Sequence, residues 1–144
     1  MAGKLFIVAT PIGNLGDMTP RAIETLENAD IIAAEDTRHS LKLLNHFGIK
    51  TKLISMHEHN EKSRAVQLIE MIEAGENVAV VTDAGMPIVS DPGADIVALA
   101  AEKGIDAVCV PGACAAVTAL CVSGLGGGRF VFEGFFAYGF CDCG

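Results

Sequence analysis

The feature that most constrains the fold of this chain is a repeated alternation of short, mostly apolar runs with helical patterns. The apolar runs occupy residues 4–9, 30–35, 51–55, 77–82 and 106–110. A strand buried on both faces of a sheet is apolar throughout, whereas a half-exposed strand alternates apolar with polar residues. The pattern therefore predicts an α/β fold with a mainly parallel five-stranded sheet and helices on both faces. Residues 130–132 are a candidate for the start of a sixth strand.

Helix signals lie between the apolar runs. Predicted helices extend from 20 to about 28, from 37 or 39 to 48, from 61 to 74, from about 93 to 102 and from 113 to 123. Thr19 and Pro20 supply an N-cap and a proline at the first helical position. By the same reasoning, Asp91 is predicted to cap the helix that begins near residue 93, with Pro92 at its first position.

Composition and charge narrow the classes of function. A chain of 144 residues is long enough for one domain with a single core. The net charge of −8 disfavours a generic nucleic-acid clamp, because nonspecific affinity comes largely from Lys and Arg. Residues 107–128 carry no charge, but Pro111, Gly112 and the glycine cluster at 124–128 interrupt them, so we predict no membrane span. We see no secretory signal and expect a cytoplasmic protein.

Three loops rich in Gly and Pro follow the first, fourth and fifth apolar runs. They are the first loop (residues 10–17), the second loop (82–93) and the third loop (111–116). Ligands of open α/β sheets bind beyond the carboxyl ends of the strands, and glycine lets backbone groups approach a ligand closely. One such loop is usually a turn, but three at one sheet edge predict a ligand site.

These residues alone do not determine the kind of ligand. The sequence contains neither the P-loop pattern nor a complete G-x-G-x-x-G. Glu35 and Asp36 follow Gly13 by about twenty residues, the position of the ribose-binding acid in dinucleotide folds, although an acid here could equally cap the next helix. His57 and His59 form an H-x-H pair without an apparent third ligand, so we predict a polar loop that lines the cleft and no metal.

Five stretches, read together, resemble a known family. They are FIVATPIGNLGDMTPRA (6–22), AAEDTRHS (33–40), HEHNE (57–61), VVTDAGMPIVSDPG (80–93) and VPGACAAVTAL (110–120). In this order and spacing, the chain resembles the N-terminal domain of the tetrapyrrole-methylase-like superfamily. Within it, the chain is most similar to the bacterial small-subunit ribosomal RNA cytidine-2′-O-methyltransferases. The resemblance implies S-adenosylmethionine as cofactor, a cytidine of small-subunit ribosomal RNA as methyl acceptor, and a homodimer.

The resemblance also implies roles for particular residues. Cofactor-binding positions fall on the three loops: Pro11, Gly13, Asp83, Ala84, Gly85, Pro87, Pro111, Gly112 and Ala115. Positions directed toward the acceptor RNA are Glu35, Thr37, Arg38 and Asn60. A hydroxyl acceptor must lose a proton, and Asp36, His57 and His59 are the candidate bases, among which the sequence does not choose.

Two departures from the family pattern concern domain organisation. We assign residues 1–135 to the N-terminal family domain and 136–144 to an atypical tail, because a basic linker is usual in the family after this point. The second family domain, which would close the cofactor cleft, is expected to be absent from this chain. We therefore expect the isolated chain to bind cofactor weakly and to methylate little or nothing.

Three alternative functions are considered beside this one. The first is a small-molecule methylase of the tetrapyrrole type, which suits the acidic charge but not the EDTRH and HEHNE stretches. The second is a non-catalytic module that folds or dimerises. The third is a nicotinamide-binding dehydrogenase domain, which the incomplete glycine pattern disfavours.

Overall fold

The computed structural model describes residues 1–135, so the tail at 136–144 lies outside the described residues. The strands are β1 (Leu5–Val8), β2 (Ile31–Ala34), β3 (Lys52–Ser55), β4 (Val78–Val81) and β5 (Ala107–Val110). The helices are α1 (Pro20–Asn28), α2 (Thr37–His46), α3 (Glu61–Glu73), α4 (Ala94–Glu102) and α5 (Ala115–Val122), and a short 3₁₀ turn spans Leu15–Asp17. The predicted alternation of strands and helices is confirmed.

The five strands form one parallel sheet in the order β3-β2-β4-β1-β5. Successive side chains of a strand point to opposite faces, so each strand contributes to two cores. Leu5, Ile7 and Val80 pack on one face against α3 and α4, whereas Val8 and Ala79 pack on the other against α1 and α2. β1 and β4 therefore lie at the centre of the molecule, and the predicted fold class is correct.

Helix α1 begins as its sequence predicts, but α4 does not. The Thr19 hydroxyl accepts a hydrogen bond of 3.0 Å from the Ala22 N–H, and Pro20 is the first helical residue. In α4, the N-cap is Gly93, and neither Asp91 nor Pro92 takes the predicted position.

The start of α4 is instead capped from another helix. Glu61, the first residue of α3, accepts hydrogen bonds from the Gly93 and Asp95 N–H groups at 2.7 and 3.2 Å. The prediction of an Asp91 cap was wrong because it considered only neighbours in the chain. The carboxylate that satisfies these donors lies 32 positions earlier, on the helix packed beside α4.

The predicted sixth strand is not formed in the described part of the chain. Residues 130–132 have no strand conformation, and β5 remains an edge strand of the sheet. α5 has no buried residue, so its apolar side chains are largely exposed. Within residues 1–135, no helix combines the length and the apolar character that crossing a bilayer requires.

Candidate functional site

The strand order brings the three Gly/Pro loops together. β4, β1 and β5 are neighbours in the sheet, and the second, first and third loops leave their carboxyl ends. Loops that are far apart in the chain thus share one edge, as the sequence predicted. In the structure the third loop is short, because Ala115 and Ala116 already belong to α5.

Paired hydrogen bonds join the first loop to the second. The Thr10 N–H donates to the Gly85 carbonyl, and the Gly85 N–H donates to the Thr10 carbonyl, both at 3.0 Å. The Thr10 hydroxyl also donates to the Thr82 carbonyl at 3.1 Å, and this bond is buried. These bonds fix how the first two loops sit against each other at the sheet edge.

Gly85 is the point at which all three loops meet. Its φ is +80°, a backbone conformation that favours glycine. A Cβ atom at this position would lie 3.1 Å from Cγ2 of Ile12 in the first loop and 3.3 Å from the carbonyl oxygen of Ala113 in the third. The missing side chain therefore allows the three loops to approach one another.

Two cavities flank this junction and share Ile12 and Ala84. The first, which we call the α2 cavity, has a volume of about 440 Å³ and lies between the first loop and α2. The second, the α5 cavity, has a volume of about 370 Å³ and lies between the second loop and the start of α5. Apart from Ser90 and the Cys114 thiol, the α5 cavity has an apolar lining, which includes Phe130 and Phe132.

The two cavities contain most of the predicted cofactor positions. Pro11, Gly13, Asp83 and Ala84 line the α2 cavity, and Ala84, Gly85 and Ala115 line the α5 cavity. Pro87, Pro111 and Gly112 line neither.

Pro87 and Gly112 have structural environments of their own. Pro87 is buried, and a Cβ on Gly112 would lie 2.9 Å from the Cβ of Ala9. Gly112 thus lets the third loop pack against the end of β1.

Asp83 presents unused hydrogen-bonding capacity beside the α2 cavity. Its backbone carbonyl faces Nε2 of His39 at 3.0 Å. Its side-chain atom Oδ1 is buried and has no hydrogen-bond partner within the described structure. Buried acceptors of this kind are normally satisfied, so Asp83 fits a ligand that offers an N–H or O–H donor.

Glu35 and Asp36 follow β2 and have opposite electrostatic behaviour. Burial, reinforced by the negative charge of Asp83 and further carboxylates, raises the pKa of Glu35 above its usual value. Hydrogen bonds from the Arg38 and His39 N–H groups, at 2.9 and 3.4 Å, lower the pKa of Asp36. Asp36 therefore serves as the N-cap of α2, the alternative that the sequence left open.

The remaining predicted residues do not line either cavity. Arg38 is exposed and forms a surface ion pair of 3.7 Å with Asp36. The rings of His57 and His59 lie 5.9 Å apart, and the Asn60 side chain accepts a hydrogen bond from the His57 N–H. Within residues 1–135 the structure has no group of three or more His, Cys, Asp or Glu that could hold a metal ion.

One face of helix α2 lines the α2 cavity, and the sequence did not lead us to expect it there. His39, Lys42, Leu43 and His46 all line the α2 cavity. Their spacing of three or four residues is that of a single helix face, so the signal was present in the sequence. Exposed histidines on a helix are unremarkable by themselves, and only the packing of α2 beside the first loop gives them a cavity.

The chain is an α/β domain whose parallel sheet carries glycine-rich loops at its carboxyl edge, the edge at which open α/β sheets bind their ligands. Residues 4–134 match the family model of the Tetrapyrrole (Corrin/Porphyrin) Methylases, and the chain belongs to this family. The family suggested by the sequence is thereby confirmed.

Curated relatives share much of this sequence. The chain is 57% identical over 133 residues to Ribosomal RNA small subunit methyltransferase I of Synechocystis sp., covering 92% of this chain and 48% of the relative. Identity to the protein of the same name from Haemophilus influenzae is 55% over 135 residues, covering 94% and 48%. The chain thus spans about half the length of the curated relatives it matches.

Solved structures share the fold. Uroporphyrin-III-C-methyltransferase from Thermus thermophilus superimposes with a TM-score of 0.67 at 26% identity, covering 88% of this chain and 55% of that one. A diphthine synthase gives a TM-score of 0.64 at 21% identity, with coverages of 83% and 47%, and this likeness shows the fold alone.

Proposed function

We propose that this chain is the cofactor-binding domain of an S-adenosylmethionine-dependent methyltransferase. The acceptor is the ribose 2′-hydroxyl of a cytidine in small-subunit ribosomal RNA. The observation that carries the proposal is the junction at Gly85, where backbone from three loops surrounds two adjoining cavities. The names of two similar relatives, both small-subunit ribosomal RNA methyltransferases, support ribosomal RNA as the substrate, and the choice of a cytidine 2′-hydroxyl rests on the family resemblance.

The residues at this junction suit such a cofactor. The apolar α5 cavity offers a place for the flat adenine ring, and the exposed residue Ala84 lies beside it, whereas the Gly85 backbone is already paired with Thr10. The unsatisfied Asp83 Oδ1 fits an ammonium group or a ribose hydroxyl, both of which donate hydrogen bonds. When bound, the cofactor supplies an electrophilic methyl group on a sulfonium.

The contribution of the protein to the reaction is then mainly alignment. Methyl transfer requires the acceptor oxygen, the methyl carbon and the sulfur in line, and positioning can supply much of the acceleration. The rigid Thr10–Gly85 pairing and the central strands β1 and β4 provide a fixed support for that geometry. A side chain must also take the proton of the hydroxyl.

Partners follow from the same proposal. A methyltransferase of ribosomal RNA acts in the cytoplasm on the small subunit or its RNA, and we infer a homodimer from the family resemblance. Because the relatives are about twice as long, we infer that the complete reaction uses a further segment like theirs. We still expect weak cofactor binding and little methylation by the 144-residue chain alone.

The cofactor is tested first, by calorimetric titration of the chain with S-adenosylhomocysteine and separately with NAD. Binding of the former alone is expected, whereas binding of NAD alone would overturn the proposal in favour of a dehydrogenase domain.

The acceptor is tested by methyl transfer from a tritiated donor to small ribosomal subunits and to porphyrinoid precursors. The chain is used both alone and joined to the part of the Synechocystis relative that lies beyond the 133 matched residues. Label in the RNA is expected from the joined protein and little label from the chain alone, and label only in the porphyrinoid would assign the domain to small-molecule methylation.

A further inference from the structure

His39 has a hydrogen bond that fixes which of its ring nitrogens carries the proton. Its Nε2 lies 3.0 Å from the backbone carbonyl oxygen of Asp83. A carbonyl oxygen can only accept, so in the neutral ring Nε2 must be the N–H donor. Nδ1 then holds the free lone pair, which makes it a proton acceptor.

The position of His39 distinguishes it from the bases that the sequence suggested. His39 is exposed and lines the α2 cavity, whereas Asp36, His57 and His59 line neither cavity at the sheet edge. The Asp36 carboxylate is also occupied as the cap of α2, with a lowered pKa that weakens it as a base. The Asp83 bond holds His39 against the loop that also borders the α5 cavity.

Helix α2 also has a charge that suits RNA. Its sequence, TRHSLKLLNH, contains Arg and Lys and two His but no carboxylate, although the whole chain carries a net charge of −8. Lys42 is exposed and lines the same cavity as His39, one turn further along the helix. In the described structure the ion pairs are Arg38–Asp36 and Lys103–Glu73, and neither involves Lys42.

We propose that the α2 cavity receives the acceptor nucleotide and that His39 takes the proton of its 2′-hydroxyl. In the step, the O–H bond breaks and its proton goes to Nδ1 of His39, while the oxygen bonds to the methyl carbon. The carbon–sulfur bond breaks with its electron pair left on sulfur, which gives S-adenosylhomocysteine, and the imidazolium returns its proton to water. Lys42 binds a phosphate of the same RNA. This inference rests on the proposed function.

The tautomer is tested first, on the chain itself. Long-range proton–nitrogen NMR correlations of the ¹⁵N-labelled chain at alkaline pH report which ring nitrogen of His39 carries hydrogen. Hydrogen on Nε2 is expected. Hydrogen on Nδ1 would overturn the proposal, because that nitrogen would then have no lone pair to accept a proton.

The role in catalysis is tested with His39→Gln, because glutamine still donates to the Asp83 carbonyl but is not a base. S-adenosylhomocysteine affinity should stay within about twofold of wild type, while single-turnover methyl transfer by the chain joined to the relative's remaining part falls roughly 10²- to 10⁴-fold. Asn45→Gln, an exposed change on the same helix that lines neither cavity, is the control and should retain full transfer. Transfer by His39→Gln at the control rate would show that the residue only positions Asp83, and would overturn the proposal.

The RNA contact is tested by the salt dependence of binding to a cytidine-containing single strand. Lys42→Ala should reduce the slope of log affinity against log salt by about 0.7, and Lys50→Ala, which lines neither cavity, should leave it unchanged. Equal slopes in both variants would exclude α2 as the RNA site. Failure of the wild-type chain to bind S-adenosylhomocysteine would instead refute the proposed function, and is separate from either variant result.

Discussion

Substitution of Gly85 by alanine probes both the fold of the site and its use. Gly85 has φ +80°, and its built Cβ lies 3.1 Å from Cγ2 of Ile12 and 3.3 Å from the carbonyl oxygen of Ala113. Alanine at this position must therefore tolerate a left-handed backbone and push two loops apart by a few tenths of an ångström. The two penalties have different origins, and a second glycine in the chain separates them.

Gly48 provides that comparison. Its φ is +69°, close to that of Gly85, but a Cβ there would have nothing within 4 Å. Gly48→Ala should thus lower the unfolding free energy by about 1–2 kcal/mol, the cost of a left-handed backbone conformation at alanine. Gly85→Ala adds crowding worth roughly 1–3 kcal/mol, for a total of about 2–5 kcal/mol.

Thermal and urea denaturation measure these costs, and calorimetry with S-adenosylhomocysteine measures the consequence for the site. At roughly 4 °C per kcal/mol for a domain of this size, Gly48→Ala should lower Tm by about 4–8 °C and Gly85→Ala by about 8–20 °C. Cofactor affinity should fall in Gly85→Ala and remain unchanged in Gly48→Ala. At 10 °C both variants should be folded, which keeps the binding comparison valid.

Two results would refute this reasoning. Equal losses of stability in the two variants would show that the three loops do not crowd one another at Gly85. Unchanged S-adenosylhomocysteine affinity in a folded but destabilised Gly85→Ala would show that the junction is structural and that the cofactor binds elsewhere.

Three further predictions concern stability. Glu61→Ala should lower the unfolding free energy by about 1–2 kcal/mol because it removes the cap of α4, whereas Glu61→Gln keeps an acceptor oxygen and should lose less stability. Urea unfolding measures both variants, and equal losses would contradict the capping role. The raised pKa of Glu35 means that the folded chain binds the Glu35 proton more tightly than the unfolded chain does, so this contribution to stability is present below about pH 4.5 and is lost as the pH rises through the folded-state pKa. Glu35→Gln should therefore flatten the dependence of Tm on pH in melts from pH 4 to 8, and an unaltered profile would argue against this role of Glu35. The lowered pKa of Asp36 has the opposite effect, so its contribution to stability is present above about pH 3.8 and is lost as the pH falls through the folded-state pKa. Asp36→Ala should therefore be less stable than wild type at pH 7 and equally stable in strong acid. A loss of stability that persists in strong acid would count against a charged cap at this position.

The sequence was sufficient to predict the five strands and the three loops at one edge. The apolar runs are continuous because strands such as β1 and β4 are buried on both faces, so pattern alone identified them. What the pattern did not contain is the strand order, in which β4 lies between β2 and β1. That order decides which loops meet, and it depends on tertiary packing rather than on local sequence.

The errors of prediction have the same origin. The cap of α4 comes from Glu61, which no local motif links to Gly93. Residues 130–132 have strand-forming side chains, but a strand also requires a partner, and Phe130 and Phe132 line the α5 cavity instead. His39 was visible as part of a helix face, yet its role in the α2 cavity depends on the carbonyl of Asp83 lying opposite.

The pairing of Thr10 with Gly85 also bears on how the site comes into existence during synthesis. These residues are 75 positions apart, and β1 gains its two neighbours in the sheet only as β4 and then β5 emerge from the ribosome. Contacts of such long range cost chain entropy before they return any stabilisation, so they form late. N-terminal pieces that end before β5 lack the third loop, so we expect them not to bind the cofactor. Cofactor affinity, followed along a series of stalled nascent chains, should therefore appear abruptly once β5 and the third loop are free to pack.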